Sequence, residues 1–289
     1  MNSLFPAAAF FLAAQTLAAQ SAVFRSDVKL VEVYATVFDG GGRAVSGLGR
    51  EQFEIRDDGV SQPIRVFETT DKSLSCALLL DTTGSMREAM PQLRNAARSF
   101  IDALRPGDSV GVYSFTDRLI ELSGMTSDRS SSYRSLARLR AGGRTALFDA
   151  VSRLALTMES LPGKKAIVVL TDGGDNASIL NRQSAAARAR KAGVPVFAVA
   201  EGDALHDDAA AGLLHILSET TGGHLYEAKH SSDIEKIFGA IALDLQNGYL
   251  LAFQPPLDPR PDSWHEINIQ VKNTPKRLRV RARSGYSLE

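Results

Sequence analysis

The sequence predicts an α/β protein in which a doubly wound, mostly parallel sheet is inserted into a split β-sandwich domain. Within residues 73–247, apolar strand segments alternate with helical periods, as a parallel sheet with crossover helices requires. Residues 24–72 and 248–289 contain strand patterns and no helical period. Because each flanking fragment is too short to enclose a hydrophobic core, we expect the two to join into one domain.

Composition is typical of globular proteins. The chain has 289 residues, of which 44% are apolar and 23% are charged, and these values argue against disorder and against a fibrous fold. Its 33 basic residues balance 33 acidic ones, so no overall field attracts nucleic acid or an anionic membrane. We therefore predict a partner that is recognised by local chemistry, with no nucleic acid among the ligands.

Residues 1–19 have the features of a signal peptide. An apolar stretch over residues 4–17 is followed by small residues at Ala18 and Ala19, where a signal peptidase would cleave. The stretch is shorter than the roughly 20 residues that a membrane span needs. No basic residue precedes it, which leaves a buried or disordered N-terminal helix as the alternative. We predict export to the periplasm or the extracellular space, without an integral membrane span.

The flanking fragments are predicted to contribute about six strands. In the N-terminal fragment, residues 28–38 alternate as a half-buried strand does, and residues 52–57 and 63–68 form a predicted hairpin around the turn Asp58-Gly59. The C-terminal fragment has three further strand patterns, over residues 249–254, 266–271 and 277–282.

The central region is predicted to alternate between strands and helices. Its strand patterns cover residues 74–80, 109–115, 119–122, 166–171, 194–200 and 224–227. Its helical periods cover residues 88–104, 133–139, 147–160, 182–192, 208–220 and 233–245.

Oxygen-bearing side chains follow two of the apolar strands. Asp81, Thr83 and Ser85 form a strand-to-helix turn, Thr145 lies in a glycine-rich loop before a helical period, and Asp172 ends a second apolar strand. Hard oxygen ligands of this kind suit Mg²⁺, Mn²⁺ or Ca²⁺. In a doubly wound sheet the ligand crevice lies at the carboxyl ends of the strands, where the strand order reverses. The residues and the fold rule therefore indicate the same place.

This pattern resembles the metal-ion-dependent adhesion site (MIDAS) of von Willebrand factor type A (VWA) domains. That family has D-x-S-x-S, then a distant Thr, then a distant Asp. Here Asp81, Thr83, Ser85, Thr145 and Asp172 match it in order, with Thr83 where Ser is usual. The substitution keeps the hydroxyl. The resemblance covers about residues 74–246.

The flanks also carry a resemblance. Gly47-Leu48, Asp58-Gly59 and the closing Arg283-Ser-Gly-Tyr286 are similar to sequences in exported bacterial VWFA-related proteins. A split β domain that carries an inserted VWA domain is familiar from integrins.

The resemblance implies the roles of the five residues. Thr83 and Ser85 would bind a divalent cation through their hydroxyls, and Thr145 and Asp172 would join directly or through water. Asp81 would act through water and by orienting the hydroxyls. The family implies Mg²⁺ first, with Mn²⁺ and Ca²⁺ as alternatives. An exchangeable water on the cation would give way to a carboxylate of a partner protein.

The leading functional hypothesis is that the protein is a secreted, metal-dependent protein-binding module for adhesion or assembly. We do not expect it to be an enzyme. One alternative is a Mg²⁺-dependent phosphoryl-transfer hydrolase, because an Asp before a T-G-S turn also suits an aspartyl nucleophile. Such an enzyme would normally have a second carboxylate where Thr83 stands. The other alternative is an intracellular VWA subunit that partners an ATPase, which the export signal disfavours.

The remaining ionisable residues give weaker signals. Asp149 and Asp175 could line the rim of the site, or could cap a helix and hold a turn. Cys76 is predicted to be a small buried hydrophobe. The histidines lack the spacing of metal ligands and are interpreted as surface or half-buried residues: His206, His215, His224, His230 and His265.

Overall fold

The computed structural model describes residues 30–69, 73–161, 163–205, 208–256, 264–274 and 277–287. The predicted signal peptide, residues 1–19, lies outside the described residues. The strands of the described ranges form three sheets, of four, six and four strands.

The strands and helices follow in chain order. Strands β1–β14 are Val31–Phe38, Phe53–Asp57, Val60–Gln62, Ile64–Glu68, Leu74–Asp81, Ser109–Phe115, Leu119–Thr126, Lys164–Thr171, Val196–Glu201, Leu225–Ala228, Tyr249–Phe253, Trp264–Val271, Arg279–Ala282 and Gly285–Ser287. Helices α1–α6 are Met90–Ala103, Arg129–Ala137, Leu147–Glu159, Arg182–Ala192, Asp208–Thr221 and Ile234–Gln246.

The six-stranded sheet has the order β10-β9-β8-β5-β6-β7, and all its pairs are parallel except β6 with β7. Alternate residues of β5 enter different cores. Leu78 and Leu80 pack with α1 and α6, whereas Ala77 and Leu79 pack with α3, α4 and α5. Burial on both faces explains why this strand is apolar almost throughout. The predicted doubly wound fold class is confirmed.

The site-bearing strands β5 and β8 are neighbours. Leu80 pairs with Leu170, so the two strands end at the same level of the sheet. From β5 the chain first adds β6 and β7 on one side and later adds β8 on the other. The strand order therefore reverses between β5 and β8, where a doubly wound sheet places its ligand crevice.

The other two sheets face each other as a β-sandwich. Their orders are β13-β1-β11-β4 and β14-β12-β2-β3, so each sheet combines strands from both flanking fragments. Val33, Ile55, Phe253 and Ile267 belong to one buried cluster that both sheets contribute to. Tyr249 in this cluster packs on Phe53, with ring centroids 4.9 Å apart. The two fragments thus share one hydrophobic core.

The predicted hairpin of residues 52–57 with 63–68 is wrong in its second strand. The turn Asp58-Gly59 connects β2 to β3, whereas β4 pairs with β11 in the opposite sheet. Pro63 separates β3 from β4, and a proline cannot donate to a strand ladder. The chain therefore crosses between the sheets at this proline. Strand β14 was not predicted from the sequence.

The sandwich contacts the α/β region through polar groups at the start of β8. The ammonium group of Lys164 donates to the carbonyl oxygens of Leu245 and Gly248, each at 3.2 Å. An ion pair joins Arg281 of β13 to Asp244 of α6, at 2.9 Å. Cys76 is buried, as predicted. None of the helices in the described ranges combines the length and apolarity needed to cross a membrane.

Candidate metal site at the strand ends

Asp81 anchors the turn that follows β5. Its side chain is fully buried, and both carboxylate oxygens accept hydrogen bonds. The backbone N–H of Thr83 donates to Oδ1 at 2.9 Å, and the hydroxyl of Thr171 donates to Oδ2 at 2.6 Å. The buried carboxylate of Asp81 therefore holds the turn through Thr83 and links it to the end of β8 through Thr171.

Burial raises the pKa of Asp81 to about 6, and the nearby charge of Asp172 acts in the same direction. The hydrogen bonds from Thr171 and Thr83 oppose this rise. The charge of Asp172 thus disfavours ionisation of Asp81 when no cation is between the two carboxylates. A positive charge at this edge would relieve that repulsion.

The hydroxyls of the turn lie against Asp172. The Oγ of Ser85 donates to Oδ1 of Asp172 at 3.0 Å, and the Oγ1 of Thr83 lies 3.1 Å from the Oγ of Ser85. Thr83 and Ser85 follow β5, whereas Asp172 follows β8. The three residues meet because the two strands end at the same level of the sheet. Ser85 is exposed, so the group opens to solvent.

The donor set fits a divalent cation. In an octahedral site with metal–oxygen distances of about 2.1 Å, neighbouring oxygens lie about 3.0 Å apart. The oxygen separations of 3.0 and 3.1 Å around Ser85 match that spacing. All the donor atoms are hard oxygens, which suit Mg²⁺ or Mn²⁺. Asp81, Thr83, Ser85, Thr145 and Asp172 are called the strand-end site below.

The glycine-rich loop brings Thr145 to this edge through its backbone. The N–H of Gly142 donates to the carbonyl of Thr82 at 2.8 Å. The Thr145 N–H donates to Oδ1 of Asn176 at 3.0 Å, and its carbonyl accepts from the N–H of Asn176 at 2.9 Å. Within the described residues, no hydrogen bond joins the Thr145 hydroxyl to the other four side chains. The structure thus joins the loops and leaves this hydroxyl outside the hydrogen-bonded group.

Gly143 makes the close approach of the loop possible. Its φ angle is +83°, and a Cβ there would lie 3.0 Å from the Cβ of Thr116. A side chain at this position would be strained by its backbone conformation and would crowd the neighbouring loop.

Asp149 and Asp175 hold the loop after Asp172, as the cap-and-turn interpretation predicted. The carboxylate of Asp149 accepts from the N–H groups of Ile179 and Leu180, each at 2.9 Å. Asp175 accepts from the N–H of Phe148 at 2.9 Å, at the start of α3. These hydrogen bonds fix the loop that forms the rim of the site. Ile179 lies on this rim and is 95% exposed.

The fold and the site together define a doubly wound α/β domain with an oxygen-lined crevice between its two central strands. The family model of the von Willebrand factor type A domain matches residues 76–240. This match covers more than half of the chain, and the protein belongs to the VWA domain family. The resemblance seen in the sequence is confirmed.

Solved structures show the same fold at low sequence identity. A von Willebrand factor type A protein from Catenulispora acidiphila is 13% identical, with a TM-score of 0.54 over 91% of this chain and 76% of that chain. The pilus tip protein Mfa5 from Porphyromonas gingivalis, represented by its vWF domain, is also 13% identical, with a TM-score of 0.50 over 59% of this chain and 94% of that one.

A third similar structure comes from the mussel byssus. It is proximal thread matrix protein 1 with a zinc-occupied MIDAS motif, and it is 16% identical with a TM-score of 0.53. The match covers 65% of this chain and 49% of that one. At these identities the likeness establishes the shared fold and nothing more.

Proposed function

We propose that this protein is a metal-ion-dependent binding module for adhesion or assembly, in which a divalent cation at the strand-end site receives a carboxylate from a partner protein. The observation that supports it most is the contact of Ser85 with Asp172 at 3.0 Å, which unites the turn after β5 with the end of β8. The residues of the site would be Asp81, Thr83, Ser85, Thr145 and Asp172.

Each residue would have a distinct task. Thr83, Ser85 and Asp172 offer oxygens that already lie about as far apart as neighbouring ligands of a small octahedral ion. Asp81 would orient the turn from the buried side, because both its oxygens are engaged by Thr83 and Thr171. Thr145 would join from the glycine-rich loop. The bound cation would supply a Lewis-acidic position that a partner carboxylate can occupy.

Mg²⁺ is the proposed ion, with Mn²⁺ and Ca²⁺ as alternatives. Calcium–oxygen distances of 2.3–2.6 Å would require neighbouring oxygens to be about 3.3 Å apart or more in octahedral geometry. The hydrogen-bonded oxygens around Ser85 are 3.0 and 3.1 Å apart, so a smaller ion would require less displacement of these side chains. The zinc-occupied MIDAS motif of the mussel protein adds Zn²⁺ to the ions that a test should include.

The proposal does not include catalysis. A phosphoryl-transfer enzyme built on Asp81 would need an accessible nucleophile, whereas this carboxylate is fully buried and holds two hydrogen bonds. Position 83, where an acid–base carboxylate would stand, is a threonine. A phosphatase screen with Mg²⁺ should therefore give no turnover, and Asp81-dependent turnover would favour the hydrolase instead.

The protein would act outside the cytoplasm, because the apolar stretch over residues 4–17 and the small residues that follow it have the features of a signal peptide. Mass spectrometry of the native protein should find an N-terminus between about Ala19 and Val23. An intact Met1 on the native protein in cell extract would revive the alternative of an intracellular subunit that partners an ATPase.

The decisive experiment is a pull-down from the extracellular fraction with the full chain as bait, run with Mg²⁺ and again with excess chelator. A partner captured only with Mg²⁺, and lost by the Asp172→Ala bait, supports the cation bridge. The matched control is Glu219→Ala, which removes an exposed carboxylate of α5. Equal capture by a folded Asp172→Ala bait in chelator would show that the cation does not bridge the partner.

A further inference from the structure

A second group of metal-ligating side chains lies in the β-sandwich, outside the strand-end site. Asp57 ends β2, Asp58 begins the turn to β3, and His265 lies on β12. One ligand atom from each of the three lies within 4.8 Å of the others. The Nδ1 of His265 is 2.9 Å from Oδ2 of Asp58 and 3.9 Å from Oδ1 of Asp57. These three residues are called the β-sandwich cluster below.

One atom of this cluster is unsatisfied. The Oδ1 of Asp57 is buried and has no hydrogen-bond partner among the described residues. The Asp57 side chain is only 2% exposed, and its other oxygen accepts the hydroxyl of Tyr286 at 2.9 Å. Oδ1 therefore faces the imidazole of His265 without a donor of its own. A buried carboxylate oxygen in this state costs free energy that a positive charge would offset.

We propose that Asp57, Asp58 and His265 form a second divalent metal site, suited to Zn²⁺. An imidazole nitrogen with two carboxylate oxygens is a ligand set that zinc accepts, whereas Mg²⁺ prefers oxygen alone. In a tetrahedral site with metal–ligand distances of about 2.0 Å, ligand atoms lie about 3.3 Å apart. The separations of 2.9 and 3.9 Å from His265 Nδ1 lie on either side of that value.

Neighbouring groups hold the three ligands in place. The N–H of Glu266 donates to Oδ1 of Asp58 at 2.8 Å, which leaves Oδ2 turned toward His265. The ring of Tyr286 stacks on the imidazole of His265, with centroids 5.0 Å apart and planes 20° apart. Its hydroxyl meanwhile orients Asp57. Contacts of this kind typically fix the ligands of protein-bound zinc.

The turn between β2 and β3 supplies both aspartates and an entry path. Asp58 and Gly59 have φ angles of +48° and +82°, as a two-residue hairpin turn of type I′ requires. This turn carries the side chain of Asp58 over β12, where 47% of its surface is exposed. An ion can thus reach the site from solvent, and water can fill the fourth position.

The site would join the two halves of the sandwich. Asp58 and His265 are 207 residues apart in the chain and belong to different flanking fragments. A metal that binds both favours the folded state, because the unfolded chain does not hold these ligands together. We therefore expect this ion to stabilise the protein, whereas the cation at the strand-end site would serve the partner.

The test measures zinc binding to the full chain by equilibrium dialysis with elemental analysis, in an Asp172→Ala background that weakens the strand-end site. We expect about one Zn²⁺ per chain. Adding His265→Gln should weaken binding about 100-fold, and Asp57→Asn should act similarly, since losing even an outer-shell partner costs about 10–100-fold. Adding Tyr286→Phe should weaken it about 10-fold.

The matched control is His215→Gln, because His215 also lies near a carboxylate, 3.4 Å from Glu219, but belongs to no three-residue group among the described residues. It should leave zinc binding unchanged. Co²⁺ offers a second readout, since a nitrogen-containing four-coordinate site gives a visible absorption band that His265→Gln should abolish. If His265→Gln does not fold, Asp58→Asn replaces it, because an amide oxygen can still accept from Glu266.

Melting temperature supplies an independent measurement. Zn²⁺ should raise the melting temperature of the Asp172→Ala protein and of its His215→Gln derivative equally, and should not raise that of the Asp58→Asn derivative. Absence of zinc binding in the folded Asp172→Ala protein would overturn the proposal. Undiminished binding by the folded His265→Gln or Asp58→Asn derivative would do the same, and neither result bears on the cation bridge to a partner.

Discussion

The strand-end site and the β-sandwich cluster differ in how the chain assembles them. Three residues of the strand-end site, Asp81, Thr83 and Ser85, lie within five residues at the end of one buried strand and in the turn that follows it. In the β-sandwich cluster, the pairing of β2 with β12 brings Asp58 and His265 together across 207 residues. The first site is therefore mostly local in sequence, whereas the second exists only after both ends of the chain have met.

The same difference separates the two folded regions. All six strands of the parallel sheet lie between Leu74 and Ala228, so one continuous segment can complete that sheet. Each sheet of the sandwich needs strands from both flanking fragments. The sandwich can thus form only when residues 30–69 and 249–287 are both present. Independent folding of the two regions is the largest effect that this comparison predicts.

We predict that residues 74–246, expressed alone, form a folded α/β domain, whereas residues 23–71 alone do not fold. The isolated N-terminal fragment contributes only two strands to each sheet and leaves the shared core open. Circular dichroism and thermal denaturation measure both outcomes. A cooperative melting transition of residues 23–71 alone would contradict the split-domain interpretation.

The next effect concerns the two sites separately. Asp81→Ala and Asp172→Ala should each weaken Mn²⁺ binding at the strand-end site about 100-fold, because the first removes the support of the turn and the second removes the half-exposed carboxylate that contacts Ser85. Isothermal titration with Mn²⁺ measures the loss, and Glu219→Ala should bind as the wild type does. Zinc binding by the β-sandwich cluster should persist in both variants. Joint loss at both sites would show that the two are coupled.

Elements with a clear pattern of buried apolar residues could be predicted from the sequence. Strand β6 has the predicted bounds, Ser109–Phe115, since its nearly continuous burial leaves an apolar run. Helix α4 has the predicted bounds, Arg182–Ala192, because its buried alanines recur at helical spacing on one face. Strand β14 was missed because it has only three residues, Gly285–Ser287, and depends on pairing with β12. The position of β4 in the other sheet likewise depends on its pairing with β11, which no local sequence pattern identifies.

The sites follow the same rule. The turn of the strand-end site could be identified because its residues are adjacent and follow an apolar run. His265 could not, because only the register that places Ile267 opposite Asp57 brings its imidazole to the turn. Its sequence signal was weak, since an isolated histidine on an alternating strand is ordinary. The Asp58-Gly59 turn was identified, but nothing local indicated which strand would cover it.

A smaller effect is expected where the two regions meet, at Lys164. This residue is 4% exposed, and its ammonium group donates to the carbonyl oxygens of Leu245 in α6 and of Gly248 just before β11. Burial lowers the pKa of Lys164 to about 8, and Arg105 acts in the same direction. Asp108 and Glu68 oppose that change. In an unfolded chain the same group titrates near pH 10.4, roughly.

Between about pH 8 and 10 the unfolded chain therefore binds more protons at Lys164 than the folded protein does, and this residue's contribution to stability should rise with pH. The limiting slope is about 1.4 kcal/mol per pH unit, and the total is at most about 3 kcal/mol. Urea unfolding of the wild type and of Lys164→Met measures the difference in unfolding free energy, in which other titrations cancel. A difference that is constant from pH 7 to 9.5 would contradict the lowered pKa.

The smallest effect tests the one departure of the strand-end site from the family pattern. Thr83→Ser keeps the hydroxyl that lies 3.1 Å from Ser85, and it keeps the backbone N–H that donates to Asp81. It removes one methyl group from a residue that is 2% exposed, so it should lower the unfolding free energy by about 1 kcal/mol. Mn²⁺ affinity should change less than about threefold, because the number and kind of ligand atoms stay the same.

Thr83→Val is the matched variant, since it keeps the branched shape and removes only the oxygen. It should lower Mn²⁺ affinity by at least about 10-fold while the protein remains folded. The two variants thus distinguish the effect of the methyl group on Mn²⁺ affinity from the effect of the hydroxyl at the same position. Equal Mn²⁺ affinity of Thr83→Val and Thr83→Ser would show that this hydroxyl is not a ligand, and the cation would then rest on Ser85, Asp172 and the glycine-rich loop alone.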